Sequence, residues 1–215
     1  MNRRESISYL KEQITHHLPG EEAHLRMLPY IRELKPLGKH VQPKESAVLI
    51  VIWFDQTFKT CVIKRTSKMR NHAGQFALPG GKFDIEEDRN LMDTALRETF
   101  EEVGLNINKE DVIGPLSKIY IPVSTFYITP YLAFISGKPQ FQINPDEVEA
   151  LDELIIDDLF GSKGNMQVDV KGNIVTVPSY NYHNTKIWGA TAMILSEMEI
   201  IWNRLKEKAQ SQITF

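Results

Sequence analysis

Cysteine is nearly absent from this chain of 215 residues: Cys61 is the only one. A disulfide framework within the chain is thereby excluded, and the usage fits a reducing compartment. Cys61 lies in the apolar run Cys61-Val62-Ile63, which reads as a packed thiol and not a reactive one. Long hydrophobic runs are also missing. The longest, Ala47 to Phe54, falls far short of the ~20 residues that span a bilayer. The start, MNRRESISYLKEQITHHL, has no long apolar centre and reads as an amphipathic helix, not a signal peptide. Excess positive charge is lacking too. A formal net charge of −3 argues against a protein built for nonspecific nucleic-acid binding. Internal repeats and low-complexity tracts are absent. What remains is a 42% hydrophobic, 25% charged chain of ordinary globular composition, expected to be cytoplasmic and off the membrane.

Two regions are expected: a helical N-terminal extension over residues 1–45, packed on a main domain over 46–215. Ile7, Leu10, Ile14 and Leu18 form one apolar stripe, ended by Pro19-Gly20, and a second short helical piece follows from Glu21. His16, His17 and His24 lack acidic or cysteine partners at metal spacing, so surface or packing roles are expected. Ala47–Asp55 and Thr60–Arg65 read as a hairpin. Val112–Pro122 and Phe126–Ser136 read as strands, and VEALDELIIDDLF, residues 148–160, as a helix. A further hairpin is expected over 165–183, with a closing helix from Trp188 to Lys208.

The most informative stretch is LPGGKFDIEEDRNLMDTALRETFEEVGL, Leu78 to Leu105. A Pro-Gly-Gly loop and an acidic segment lead into a helical pattern that stops at Gly104, a residue suited to the left-handed turn past a helix end. Leu91, Met92, Ala95, Leu96, Thr99, Phe100 and Val103 recur at three- and four-residue steps, predicting one buried face. Glu98, Glu101 and Glu102 share a stripe beside it. Their placement is unfavourable for an ordinary helix. Acids in the last turn oppose the macrodipole, and Glu98 and Glu102 form a like-charge i,i+4 pair. A divalent cation such as Mg²⁺ or Mn²⁺, which prefers oxygen ligands, converts both penalties into attractions.

RETFEEVGL resembles the second half of the Nudix box, R-E-hydrophobic-x-E-E-x-G-hydrophobic, of hydrolases that split nucleoside diphosphates linked to another group. The first half departs from the pattern. Fifteen residues, Lys82 to Leu96, separate the Gly pair from Arg97, where the box has thirteen. Arg89 stands where the box glutamate is expected, so that acid is displaced to Glu86, Glu87 or Asp88.

A second pattern abuts the box. Arg65-Thr66-x3-Arg70-x3-Gly74-x-Phe76-x-Leu78-Pro79-Gly80-Gly81 resembles the extra motif of the coenzyme A diphosphatase branch of that family, with Thr66 and Leu78 as departures. Ile187-Trp188-Gly189-Ala190-Thr191 is similar to a C-terminal signature of the same branch, though by itself it reads as the tight start of a core helix. The resemblance implies a Nudix α/β/α sandwich with a mixed sheet and added N- and C-terminal helices. It implies Mg²⁺- or Mn²⁺-dependent hydrolysis of the diphosphate of coenzyme A or its thioesters. Glu98, Glu101 and Glu102 would be catalytic and hold the metal, with Glu147 as a candidate further ligand and Arg97 as their orienting partner. Arg65, Arg70, Gly80, Gly81 and Lys82 would bind the substrate. The pattern is compatible with a homodimer. Two alternatives stay open: a Nudix enzyme acting on ADP-ribose or another nucleoside diphosphate, and a noncatalytic Nudix-like nucleotide sensor. No Ser-His-Asp or Cys-His set for covalent catalysis can be assembled from the six scattered histidines.

Overall fold

The computed structural model describes residues 3–29, 42–67, 74–170 and 172–211. Its centre is β1, Lys44–Asp55, whose apolar run is buried on both faces. Leu49, Val51 and Trp53 face one hydrophobic core, while Ile50 and Ile52 face another on the opposite side. Burial on both faces is what a strand inside a covered sheet requires, and it explains the near-continuous run of apolar residues.

β2 (Thr57–Arg65) follows β1 through a tight turn at Gln56 (φ 59°) and pairs with it antiparallel, as expected of a hairpin. β3 (Phe76–Ala77) borders β2, and β4 (Gly80–Lys82) pairs antiparallel with β1. Helix α3, Leu91–Val103, then crosses one face of the sheet. β5 (Val112–Pro115) and β6 (Ile119–Ile121) both pair antiparallel with β7, Phe126–Phe134. β7 runs parallel to β1, so the eight-stranded sheet is mixed. The single strand expected over 112–122 is thus two. The break after Pro115 separates them, and β5 itself carries a register shift between Val112 and Gly114.

The helix expected over 148–160 is a correction. Val148–Ile155 is strand β8, antiparallel to β2, and only Ile156–Gly161 is helical, as α4. Apolar residues at 148, 151, 155 and 159 fit a helical period, but pairing along the exposed edge of β2 overrides that local preference. The hairpin expected near 165–183 is present as β9 (Lys163–Val170) and β10 (Asn173–Tyr182). A third strand, β11 (Thr185–Trp188), completes a second sheet.

The closing helix α5, Gly189–Ser211, covers the other face of the large sheet. Leu195, Met198, Ile201 and Trp202 share its core with Leu10 and Ile14 of α1 (Arg3–His16) and with Met27 after α2 (Glu21–Leu25). Polar contacts tie the same elements together. Glu197 accepts the backbone N–H groups of Gly20 (2.9 Å) and Ser117 (3.0 Å) and faces His24 Nε2 at 3.4 Å. His24 is therefore a buried packing residue, while His16 and His17 are exposed. None of the described helices is long and apolar enough to cross a membrane.

Candidate active site

Helix α3 is held at both ends by its own sequence. Asn90 Oδ1 accepts the N–H groups of Met92 (2.9 Å) and Asp93 (3.1 Å), a cap of about 1 kcal/mol. At the other end Gly104 takes φ 70° and donates to the Phe100 carbonyl at 2.8 Å. Between them Ala95, Thr99 and Val103 pack on β1, whereas Phe100, expected on the buried face, is 56% exposed. The helix is rotated so that Glu102 takes the inner position, at 1% exposure.

That rotation aims the acids at the Gly-Gly loop. Glu102 Oε2 accepts the Gly80 N–H at 2.9 Å, and its Oε1 stands 3.5 Å from Arg65 Nη1. A Cβ on Gly81 would overlap the Glu98 carboxylate, and one on Gly80 would overlap the Ala47 carbonyl oxygen. The two glycines therefore let the loop lie directly against both α3 and β1. Lys82 is exposed at the end of the loop.

Arg97 organises the other acids. Its Nη1 donates to Glu98 Oε1 (2.9 Å) and Glu101 Oε2 (3.0 Å), and Nη2 also reaches the Lys82 carbonyl at 3.3 Å. Its remaining face is filled by Asp88, through Nε (2.9 Å) and Nη2 (3.0 Å). Of the three acids expected to replace the displaced box glutamate, Asp88 is the buried one; Glu86 and Glu87 are exposed. Asp88 also accepts from Thr94 Oγ1 (2.8 Å) and the Asp84 N–H (2.9 Å), which folds the lengthened loop into a turn. Burial would raise the Asp88 carboxyl, but these donors, Arg97 foremost, outweigh it and hold it down at about 2.

The inner acids shift the other way. Burial raises Glu98, against the opposing pull of Arg97, and the negative charges of Glu101 and Glu147 add to the rise. Burial pushes Glu102 up to about 8, against the Gly80 N–H and Arg65, with Glu98 and Glu147 adding to it. Glu147 thus belongs to the same electrostatic cluster. Its loop is strapped in place by backbone bonds from Gln142 to Val103 (2.8 Å), Asn144 to Glu102 (2.9 Å) and Thr66 to Glu147 (3.0 Å). Glu149 instead accepts from Lys64 at 2.6 Å, away from this cluster.

A divalent cation suits this donor set chemically. The donors are hard carboxylate oxygens, and Glu98 and Glu102 carry raised affinities for a proton because nothing positive enough offsets their burial. Among the described residues, no three His, Cys, Asp or Glu side chains stand together as a ready-made metal-binding group. Arg97 holds Glu98 and Glu101 on its guanidinium instead.

Beside the acids opens a cleft of about 460 Å³. Arg65, Gly80, Gly81 and Lys82 line it, and so do Trp188, Gly189, Ala190 and Thr191 from the start of α5. This last group, expected to start a core helix and noted for its likeness to a C-terminal signature but given no site role, lines the cleft, with Gly189 at φ 64° where the strand turns into the helix. Arg70 lies outside the described residues.

The sequence model of the NUDIX domain matches residues 43–169. An uncharacterized Nudix hydrolase, NudL, of Pectobacterium atrosepticum is 33% identical over 161 residues, covering 74% of this chain and 83% of that protein. Nudix hydrolase 3 of Caenorhabditis elegans is 28% identical over 176 residues, covering 74% of this chain and 72% of that protein. Among solved structures, a MutT/nudix family protein of Enterococcus faecalis has the same fold, with a TM-score of 0.53 at 18% identity over 96% of this chain and 75% of that one. With the box helix, its glycine loop and the covered mixed sheet all in place, this chain belongs to the NUDIX family and is a Nudix hydrolase, an enzyme acting on pyrophosphate bonds.

Proposed function

We propose that this enzyme hydrolyses the diphosphate of coenzyme A or its thioesters, giving 3′,5′-ADP and 4′-phosphopantetheine or its acyl form. One observation carries the reading. The two stretches that resemble the coenzyme A diphosphatase branch lie far apart in sequence, yet residues of both line one cleft beside the acids of α3. Beyond the glycine loop that cleft is walled by Val48, Phe76, Ile121, Phe126, Ile128 and Ile194. An apolar wall next to a diphosphate site suits a long, uncharged arm better than a second hydroxyl-rich sugar.

Glu98, Glu101 and Glu102, with Glu147 as a further acid, would hold Mg²⁺ or Mn²⁺. Such a cation, when bound, offsets charge on the diphosphate and lowers the pKa of water. The chain's own groups set the geometry. Arg97 keeps Glu98 and Glu101 oriented, and the Gly80 N–H fixes Glu102. Arg65, beside Glu102, would meet a diphosphate oxygen, with Arg70 and Lys82 as further phosphate partners. Water is the acceptor. Burial, with the charge of Glu153 adding to it, pushes the Cys61 thiol up to about 12, so it offers no nucleophile.

The test is a comparison of kcat/KM with Mg²⁺ for coenzyme A, an acyl-coenzyme A and ADP-ribose, with products identified by mass. The reading expects the coenzyme A compounds to exceed ADP-ribose by at least about tenfold, a modest margin for selection by one pocket wall. A preference for ADP-ribose overturns it.

A further inference from the structure

The match to the family model ends at residue 169, but one wall of the cleft comes from beyond it. Trp188 closes β11, Gly189 opens α5, and Ala190, Thr191 and Ile194 continue along the same cleft as Gly80 and Gly81. The positive φ of Gly189 lets strand pass directly into helix. Trp188, Ala190 and Thr191 are only half-buried, whereas Ala192, Met193 and Leu195 are sunk in the core. The first three therefore present surface to the cleft while their neighbours anchor the helix.

This wall is fixed relative to the diphosphate loop. Trp188 pairs with Ser179 across β10 and β11. Thr191 Oγ1 donates to the Phe76 carbonyl at 3.4 Å, tying α5 to the strand that leads into Leu78-Pro79-Gly80-Gly81. Among the described residues lining the cleft, only Arg65 and Lys82 are charged, and both belong to the stretch around the glycine loop and not to the start of α5.

We propose that Trp188, Ala190 and Thr191 form the specificity wall of this enzyme. They contact the group carried on the diphosphate and select a long, uncharged, flexible arm. The proposal rests on the coenzyme A reading above. It assigns substrate choice to residues beyond the stretch that the family model matches, and leaves the reaction chemistry to α3.

The test compares coenzyme A with a truncated analogue in which the pantetheine arm is replaced by a methyl group on the same diphosphate. Wild-type enzyme should prefer coenzyme A by at least about tenfold in kcat/KM. Trp188→Ala, which strips the wall, and Ala190→Phe, which adds bulk to the cleft lining, should each cut that preference by at least about tenfold, with the loss lying in KM for coenzyme A. Thermal melts identify a variant that fails to fold, and Thr191→Val then serves as the milder substitute, with a smaller loss in the same direction. An unchanged preference in the folded variants overturns the wall assignment while leaving the substrate reading standing. Wild-type enzyme that leaves coenzyme A intact overturns both.

Discussion

Asp88 and Arg97 meet in a two-bonded fork, Oδ1 with Nε at 2.9 Å and Oδ2 with Nη2 at 3.0 Å. The loop before α3 is two residues longer than the family pattern and carries an arginine where an acid is expected. The fork shows how the chain accommodates this. An aspartate one position earlier, on a turn closed by the Asp84 N–H, reaches the same guanidinium that holds Glu98 and Glu101.

Removing that acid should loosen both carboxylates at once. Losing one partner of a buried ion pair costs about 3–5 kcal/mol, but Arg97 is one-fifth exposed and keeps three other acids, Glu87, Glu98 and Glu101. For Asp88→Ala we expect a loss of about 2 kcal/mol, a fall of about 4–8 °C in melting temperature. We also expect kcat to fall by about tenfold or more. Asp88→Glu should recover part of both. Calorimetry and steady-state kinetics on the same preparations check this, and wild-type behaviour of Asp88→Ala contradicts it.

The same pair sets an acid limit to stability. Asp88 is held at about 2 in the fold, against about 3.9 for a free aspartate. A lowered carboxyl stabilises the fold when ionised, so its contribution is fully present above about pH 4 and is lost as pH falls through about 2. Melting temperatures between pH 5 and pH 2 should fall more steeply for wild type than for Asp88→Asn. Parallel curves would show that Asp88 does not carry this term.

Glu98→Gln and Glu102→Gln should each lower kcat by at least about 100-fold, corresponding to about 2.7 kcal/mol of lost transition-state stabilisation. The fold should survive, because an amide at 102 keeps an oxygen for the Gly80 N–H. Any rise in melting temperature that Mn²⁺ gives wild type should vanish in both variants. Near-normal turnover in the two would remove these acids from the reaction.

Arg65 lies 3.5 Å from Glu102, beside the acids proposed to hold the metal. Arg65→Ala should therefore lower kcat/KM on coenzyme A and on dephospho-coenzyme A by the same factor, about ten- to a hundredfold, as expected for one charge-assisted phosphate contact. A loss confined to coenzyme A would place this arginine at the 3′-phosphate instead.

Several of these features were legible in the chain and others were not, for physical reasons. Helix α3 was readable because its apolar period and Gly104 stop are local signals. Its rotation was not. Phe100 turns out to solvent and Glu102 turns in, since the Gly80 N–H and Arg65, distant in sequence, give the buried carboxylate partners. Strand β8 was hidden by a helical apolar period that yields to pairing with β2. The displaced box acid could be narrowed to three neighbours, but only burial and the Thr94 and Arg97 contacts single out Asp88. The stretch Ile187 to Thr191 showed a branch-like signature and a tight helix start, but not that it lines the cleft, because that depends on a strand more than a hundred residues earlier.

The most direct measurement is a single turnover of coenzyme A by the Mg²⁺-supplied enzyme in ¹⁸O-labelled water, read by mass. Equal amounts of 3′,5′-ADP and 4′-phosphopantetheine, with one ¹⁸O on a phosphate of one product and no phosphorylated protein, is the predicted result. Intact coenzyme A, or unlabelled products with phosphate left on the protein, would contradict it.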